Sequence, residues 1–257
     1  MKLLLTNDDG INAQGLYTLA KHLEEDNEII IAAPSQQRSA SSHSITVARG
    51  IAVRQKKIQG IRAEAYSVDG TPADCVRVAV DKIAGDVDMV ISGINEGYNV
   101  GIDVVYSGTV SAAIEAALCK IPSMAVSMGV GQPGYDYNIA ADYARQVLNT
   151  AKQKRYLKDD IVLSLNVPPL KQEDIKGIKV CRTGFKMYDD FYVEKEDENK
   201  NKDFHRQGKL TGYDVEGTDL YYIRRGYATL TPLHYDLTNH DILNNVKNIF
   251  EQRKNGQ

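Results

Sequence analysis

Short apolar runs alternate with helical patterns over the first two thirds of the chain, and this alternation constrains the fold most. The runs are "KLLLT", "EIIIAAP", "DMVIS", "PSMAVSM" and "DIVLSLNVP", at residues 2–6, 28–34, 88–92, 122–128 and 160–168. They are continuously apolar, which is typical of strands that are buried on both faces of a parallel sheet. The sequence therefore predicts an α/β fold with a Rossmann-like three-layer core around a mostly parallel sheet.

The segments between these runs carry helix signals. Leu16, Leu19 and Leu23 share one face of a helix that follows the first strand. Thr71 fits an N-cap followed by proline, and the small-residue segment 107–120 predicts a helix that packs closely on a sheet. A further helix is expected near 137–153.

The rest of the chain has a different pattern. Residues 45–68 predict a hairpin or an edge excursion, and residues 183–236 are rich in tyrosine without a helical period. The charged stretch "EKEDENKNKD" predicts an exposed loop tip, and a last helix is expected near 239–253. We therefore divide the chain into an α/β catalytic core, 1–182, and a C-terminal extension, 183–257, whose arm or hairpin and terminal helix serve oligomerisation.

Composition excludes several classes of function. The chain has 257 residues, 42% of them hydrophobic, and a formal net charge of −3, so no basic field indicates a nucleic-acid polymer or a membrane as partner. No apolar run approaches the roughly 20 residues of a membrane span, and we do not expect the first residues to form a signal peptide, because an acidic pair interrupts their short apolar run. Cys75, Cys119 and Cys181 form no C-x-x-C pair, which favours reduced thiols and a cytoplasmic protein.

The stretch "TNDDG" places Asp8 and Asp9 directly after the first predicted strand. Two adjacent carboxylates repel and raise each other's pKa, so something must offset the repulsion. The polar loops 34–44 and 93–110 follow two other strands. Because the carboxyl ends of parallel strands meet at one edge of the sheet, the three loops are expected to converge there.

These loops carry four oxygen donors: Asp8, Asp9, the Ser39 hydroxyl and the Asn95 amide carbonyl. Such hard ligands suit Mg²⁺, Mn²⁺ or Ca²⁺ rather than zinc. The alternative for the acidic pair is that it only caps the following helix.

An anion site is predicted beside them. In "YSGTV", Ser107, Gly108 and Thr109 open a helix whose free N–H groups and dipole favour a phosphate group. The alternative is an ordinary helix cap. His43, in the second loop, either donates a proton to a leaving group or has a structural role.

The motifs together resemble one family. "LLLTNDDG", "APSQQRSASSHSIT", "VDGTPADCV", "VISGINEGYNVGIDVVYSGTVSAAIEA" and "YATLTPLHYDLT" are similar to the stationary-phase survival protein SurE family of metal-dependent 5′-nucleotidases. The match spans nearly the whole chain, and the motif at 90–116 is specific.

The resemblance implies one divalent cation, Mg²⁺ or Mn²⁺, held by Asp8, Asp9, Ser39 and Asn95. It also places Asn99 and residues 107–109 near the substrate phosphate, and implies a cytoplasmic homodimer or homotetramer. One departure is Ala40, where the family often has glycine after the metal-binding serine. Alanine restricts this loop if the position needs a positive φ.

The expected reaction is hydrolysis of nucleoside 5′-monophosphates, extending to 3′-monophosphates and short polyphosphate. Asp8 and Asp9 are the predicted catalytic residues, with Asp8 orienting or deprotonating the attacking water. The pair lacks the D-x-D spacing of phosphatases that form an aspartyl-phosphate, which favours attack by water. The alternatives are a non-catalytic nucleotide-binding module and a receiver-like signalling module, although the strand at 88–92 ends in "SGIN" rather than in a phosphoacceptor aspartate.

Overall fold

The computed structural model describes residues 1–131, 135–196, 201–212 and 214–251. Residues 197–200 of the predicted loop tip and 252–253 of the predicted last helix lie outside the described residues. The strands are β1 (Lys2–Thr6), β2 (Glu28–Pro34), β3 (Val53–Lys56), β4 (Glu64–Val68), β5 (Met89–Glu96), β6 (Ser123–Met128), β7 (Val162–Val167), β8 (Ile178–Val180), β9 (Lys186–Glu196), β10 (Lys202–Gly212) and β11 (Ala228–Leu233). The α-helices are α1 (Gln14–Leu23), α2 (Pro72–Val78), α3 (Asp103–Tyr106), α4 (Gly108–Leu118), α5 (Tyr137–Gln153), α6 (Asp219–Ile223) and α7 (His240–Phe250).

The main sheet has nine strands in the order β3-β4-β2-β1-β5-β6-β7-β11-β8. The six strands from β4 to β7 are parallel, and β3 and β11 each run antiparallel to the neighbours β4 and β7. The chain moves outward from β1 in one direction and then, starting at β5, in the other. This is the Rossmann order, and its switch point lies between β1 and β5. The predicted α/β fold is confirmed.

Two apolar layers enclose the sheet. Leu3 and Leu5 of β1 pack in the layer that contains α1 and α5, whereas Leu4 packs in the layer that contains α2 and α4. Successive residues of a strand point to opposite faces, so a continuously apolar strand fills both layers. The predicted helix at Thr71 begins there with a full capping box in which Thr71 and Asp74 bond each other's backbone N–H.

The structure also differs from the sequence predictions. The 45–68 segment contains the predicted hairpin, because β3 and β4 pair antiparallel, but β4 also pairs in parallel with β2 and so lies inside the sheet, with only β3 at the edge. The helix at α2 continues as a π-helical turn, Ala79–Ile83. The predicted division after residue 182 does not follow the sheet, because β11 pairs with β7 and β8.

The remaining C-terminal elements lie outside the main sheet. Strands β9 and β10 form a separate antiparallel hairpin, which agrees with the predicted arm. Helix α7 has no buried residue. Within the described ranges, no helix is long and apolar enough to span a membrane, and all three cysteines are free thiols.

Candidate active site

A cleft of about 340 Å³ opens at the switch point of the sheet, where the loops after β1, β2 and β5 meet. This is the usual place of ligand sites in open α/β sheets. Its lining comprises Asp8, Ser39, Ala40, Asn95, Glu96, Tyr98, Asn99, Asp103, Tyr106 and Ser107. The predicted convergence of three loops is therefore present.

A tight turn presents the two carboxylates. The Asn7 side chain accepts a hydrogen bond from the Gly10 N–H at 3.1 Å and donates to the Gly10 carbonyl at 3.0 Å. Gly10 has a φ of +99°, and a Cβ there would lie 3.3 Å from the Pro34 carbonyl oxygen. The asparagine and the glycine together fix the turn in which Asp8 and Asp9 leave β1.

Asp8 is 5% exposed and is held by the start of α4. Its Oδ1 accepts a short hydrogen bond from the Thr109 hydroxyl. Burial raises the pKa of Asp8 to about 6, the Thr109 hydroxyl opposes this rise, and the Asp9 charge adds to it. A carboxyl with this pKa changes its protonation state close to neutral pH.

Asp9 is less deeply buried and is bonded on both oxygens. Oδ1 accepts from the Gln37 side chain at 3.2 Å, and Oδ2 accepts from the Glu96 N–H at 3.3 Å. Burial nevertheless raises the pKa of Asp9 above its ordinary value. Asn95, near the end of β5, donates its amide nitrogen to the Gly97 carbonyl at 2.9 Å, so its amide oxygen is the atom suited to a cation.

Gly108 lets α4 approach β1 closely. A Cβ on Gly108 would lie 2.8 Å from the Asp8 Cβ and 2.8 Å from the Ser41 Oγ, which is closer than real Cβ contacts come. Ser107 caps the helix, because its hydroxyl accepts the Val110 N–H at 3.1 Å. The structure thus shows the helix cap at Ser107, and the anion site at this helix start stays a prediction.

Asn99 is fixed at the cleft by residues that the sequence did not single out. Its side chain donates to the Ser127 hydroxyl at 2.8 Å, and its backbone N–H donates to the Asn166 side chain at 2.8 Å. Ser127 and Asn166 are register partners near the ends of β6 and β7. Polar residues near the carboxyl ends of otherwise apolar strands were the signal that could have found them.

The loop after β2 brings Ser39 to the cleft. The Arg38 N–H donates to the Asp8 carbonyl at 2.7 Å, which ties this loop to the acidic turn. Ala40 has a φ of +53°, so the departure from glycine falls at a position that does adopt the left-handed region. His43 bonds Glu115 at 2.6 Å, which favours the structural alternative for this histidine.

The predicted site residues thus form one cluster. Asp8, Ser39, Asn95, Asn99 and Ser107 line the cleft, while Asp9, Gly108 and Thr109 contact or adjoin these residues. No group of three or more His, Cys, Asp or Glu side chains in the described ranges could hold a metal. A cation here would therefore need the neutral oxygens of Ser39 and Asn95 beside the two carboxylates. The roles of these residues stay predictions.

Comparison with known proteins places this architecture in one family. The family model described as survival protein SurE matches residues 3–190. A Clostridium kluyveri protein named 5′-nucleotidase SurE is 52% identical over 256 residues, which cover 98% of this chain and 100% of that protein. A Clostridium botulinum protein of the same name is 54% identical over 252 residues, which cover 97% and 99% of the two chains.

A solved structure agrees with these sequence matches. The crystal structure of the SurE protein from Aquifex aeolicus superposes with a TM-score of 0.83 at 34% identity, covering 97% of this chain and 99% of that one. The resemblance stated from the motifs is confirmed. The chain belongs to the SurE family.

Proposed function

We propose that this chain is a 5′-nucleotidase that removes phosphate from nucleoside 5′-monophosphates. Its relatives named 5′-nucleotidase SurE are 52% and 54% identical over nearly the whole chain. The observation that carries the proposal is the cleft, where Asp8, Ser39 and Asn95 meet Ser107, the N-cap of α4. Acidic and neutral oxygens beside a helix N-terminus suit a phosphate monoester together with a cation.

The residues fit one divalent cation, Mg²⁺ or Mn²⁺. The pKa of Asp8 and that of Asp9 are both raised by burial, and the Asp9 charge raises that of Asp8 further, so a positive charge beside the two carboxylates would stabilise the pair. Asp8, Asp9, Ser39 and Asn95 would hold the ion through hard oxygen ligands. When bound, such an ion supplies Lewis-acid activation of a phosphoryl oxygen and of water.

The protein's own groups supply positioning and proton transfer. Thr109 holds Oδ1 of Asp8, so we assign to Oδ2 the acceptance of a proton from the attacking water. Ser107, Gly108 and Thr109 present the N-terminus of α4 to the phosphate, with Asn99 beside them. The structure has the Thr109 hydroxyl on Asp8, so we give this hydroxyl the task of orienting Asp8 and leave phosphate contact to backbone N–H groups.

The sheet order argues against the receiver-like alternative. Receiver domains follow the order 2-1-3-4-5, whereas the parallel strands here follow the Rossmann order. We extend the substrate range to 3′-monophosphates and short polyphosphate, and assign the enzyme to the cytoplasm. These finer assignments rest on the family resemblance.

We also propose that the chain is a homodimer or homotetramer. The hairpin exposes Phe191, Tyr192 and Phe204, and α7 exposes Ile249 and Phe250. Large exposed apolar side chains concentrated on one hairpin and one helix favour an interface with another subunit. Pairing of two copies about a two-fold axis is the commonest way to cover such area.

Phosphate release by the purified full-length chain tests the proposed reaction. 5′-AMP, 3′-AMP and tripolyphosphate are compared before and after dialysis against EDTA, and after Mn²⁺ or Mg²⁺ is restored. We expect release from 5′-AMP that EDTA abolishes and either ion restores. Binding of 5′-AMP without phosphate release under all these conditions would support the non-catalytic alternative instead.

A further inference from the structure

The loop that carries Ser39 adopts an unfavourable backbone conformation. Ala40 and Ser42 have φ values of +53° and +52°, in the left-handed region that residues other than glycine rarely adopt. Such conformations persist only where surrounding contacts fix them. Ser39 lies directly before this pair of residues and lines the cleft, so whatever holds the loop also places the Ser39 hydroxyl.

Short contacts tie the beginning and middle of the loop to the cleft. The Arg38 N–H donates to the Asp8 carbonyl at 2.7 Å. The Ser42 N–H donates to the Tyr106 carbonyl at 3.0 Å, and its hydroxyl donates to the Val105 carbonyl at 2.8 Å. The two bonds from Ser42 hold the loop against α3.

His43 adds a side-chain anchor immediately after the left-handed pair. Its Nε2 lies 2.6 Å from Oε2 of Glu115, a residue of α4 that is 1% exposed. The other oxygen of Glu115 accepts from Arg77 of α2. Burial raises the pKa of Glu115, but the bonds from His43 and Arg77 outweigh burial and leave the pKa below its ordinary value, so the anchor is a buried anion.

The segment beyond His43 has an independent attachment. The Thr46 N–H and hydroxyl both donate to Asp74, and the Thr71 hydroxyl donates to the Ser44 carbonyl at 2.7 Å. Loss of the His43 side chain would therefore loosen the loop between two tethered ends without detaching it. In the described part of the chain His43 is not among the cleft-lining residues, so it acts through the loop.

We propose that His43 is a positioning residue that, by bonding the buried Glu115, locks the left-handed loop and preorganises the Ser39 hydroxyl for a divalent cation. The proposal rests on the metal-dependent function proposed above. Residues that orient metal ligands typically contribute about 10- to 100-fold in metal affinity or activity.

Calorimetric titration of the EDTA-treated protein with Mn²⁺ tests the proposal. Four forms are compared: wild type, His43→Ala, His43→Gln and Arg77→Ala. His43→Ala should weaken Mn²⁺ binding by about 10-fold or more. His43→Gln keeps an N–H donor for Glu115 and should recover most of the affinity. Arg77→Ala removes the other partner of the same carboxylate without touching the loop, and should bind Mn²⁺ as wild type does.

Kinetics on 5′-AMP give a second readout. Saturating Mn²⁺ should restore most of the kcat of His43→Ala, because the variant lacks preorganisation and no reacting group. If His43→Ala does not fold, His43→Leu repeats the titration with a side chain of similar volume and no donor.

The outcomes separate this proposal from the proposed function. Wild-type affinity in His43→Ala, or an equal loss in Arg77→Ala, would overturn the positioning role while leaving the metal site intact. A wild-type protein that binds no Mn²⁺ would overturn both.

Discussion

Two regions of the molecule treat their side chains differently. One is the edge of the main sheet at the carboxyl ends of its strands, and the other comprises the C-terminal elements β9, β10 and α7. At the sheet edge, polar groups are buried and paired within one chain, as Asp8 is with Thr109 and Asn99 is with Ser127. In the C-terminal elements, large apolar side chains stay exposed: Phe191 is 57% and Phe250 80% exposed.

This difference separates what one chain completes alone from what it leaves to a partner. Buried, bonded side chains at the sheet edge form a preorganised site, in which small changes alter chemistry. The exposed apolar side chains of the C-terminal elements gain their packing only from another surface. Substitutions in the first region should therefore change activity, and substitutions in the second should change assembly.

The largest effect is expected from Asp9→Asn, which removes a charge from the sheet edge with little change in volume. Activity on 5′-AMP at limiting Mn²⁺ should fall by about 10²- to 10³-fold, the scale of losing one preorganised electrostatic group. The melting temperature should stay close to that of wild type. Asp81→Asn makes the same change at an exposed carboxylate paired with Lys82, and should keep full activity. Near-wild-type turnover in Asp9→Asn would contradict the metal assignment.

Thr109→Val tests whether the hydrogen bond between the Thr109 hydroxyl and Asp8 is needed for activity. The variant keeps the shape of the side chain but removes the hydroxyl that bonds Asp8. Losing one charge-assisted hydrogen bond corresponds to about 1.5–3 kcal/mol, or roughly 10- to 150-fold in kcat/KM. The loss should be similar for every nucleoside monophosphate, since Asp8 serves them all. Thr150→Val, at an exposed position of α5, is the control, and a defect confined to one base would argue against this role.

Substitutions in α7 test whether the C-terminal elements form an interface between subunits. Ile242 and Ile249 lie on one face of this helix and are both exposed. Replacing both by glutamate should lower the mass measured by light scattering at micromolar concentration, because a buried charge opposes association. Asn244→Glu, on the other face, should leave the mass unchanged. A wild-type protein that is already monomeric would show that α7 is not an interface.

The smallest effect is expected from Ala40→Gly. Glycine relieves the cost of a left-handed φ, about 1–2 kcal/mol, but loses more backbone entropy on folding, about 0.5–1 kcal/mol. The net gain in unfolding free energy should be about 1 kcal/mol or less, measured by urea denaturation. A destabilised Ala40→Gly would mean that the alanine methyl group contributes packing that outweighs its backbone strain.

The sequence predicted the elements whose signals are local. Continuous apolar runs identified β1, β2, β5, β6 and β7, and parallel strands required the loops that carry Asp8, Ser39 and Asn95 to converge. Pairings between distant segments carried no such signal. The bond between His43 and Glu115 joins residues 72 positions apart, and only the folded chain shows that the two meet.

The position of β11 in the main sheet could not be predicted from the sequence for a related reason. The run that forms β11 lies near the end of the tyrosine-rich segment 183–236, and no local feature of the sequence indicates that it pairs with β7. Its register with β7 and β8 is set by the fold of everything before it. Assigning all residues after 182 to an extension therefore separated one strand from its sheet.

The insertion of β11 between β7 and β8 has a consequence during synthesis of the chain. Strand β7 ends at Val167 and pairs with β6 on one side, but β11, its partner on the other side, begins only at Ala228. That side of β7 therefore remains an open sheet edge while the intervening residues are made. At about 5–20 residues per second, this interval lasts for roughly 3–12 s. Open edges recruit strands from other chains. Nascent chains released before residue 228 should therefore sediment as aggregates more readily than chains released after residue 233, when the edge has closed.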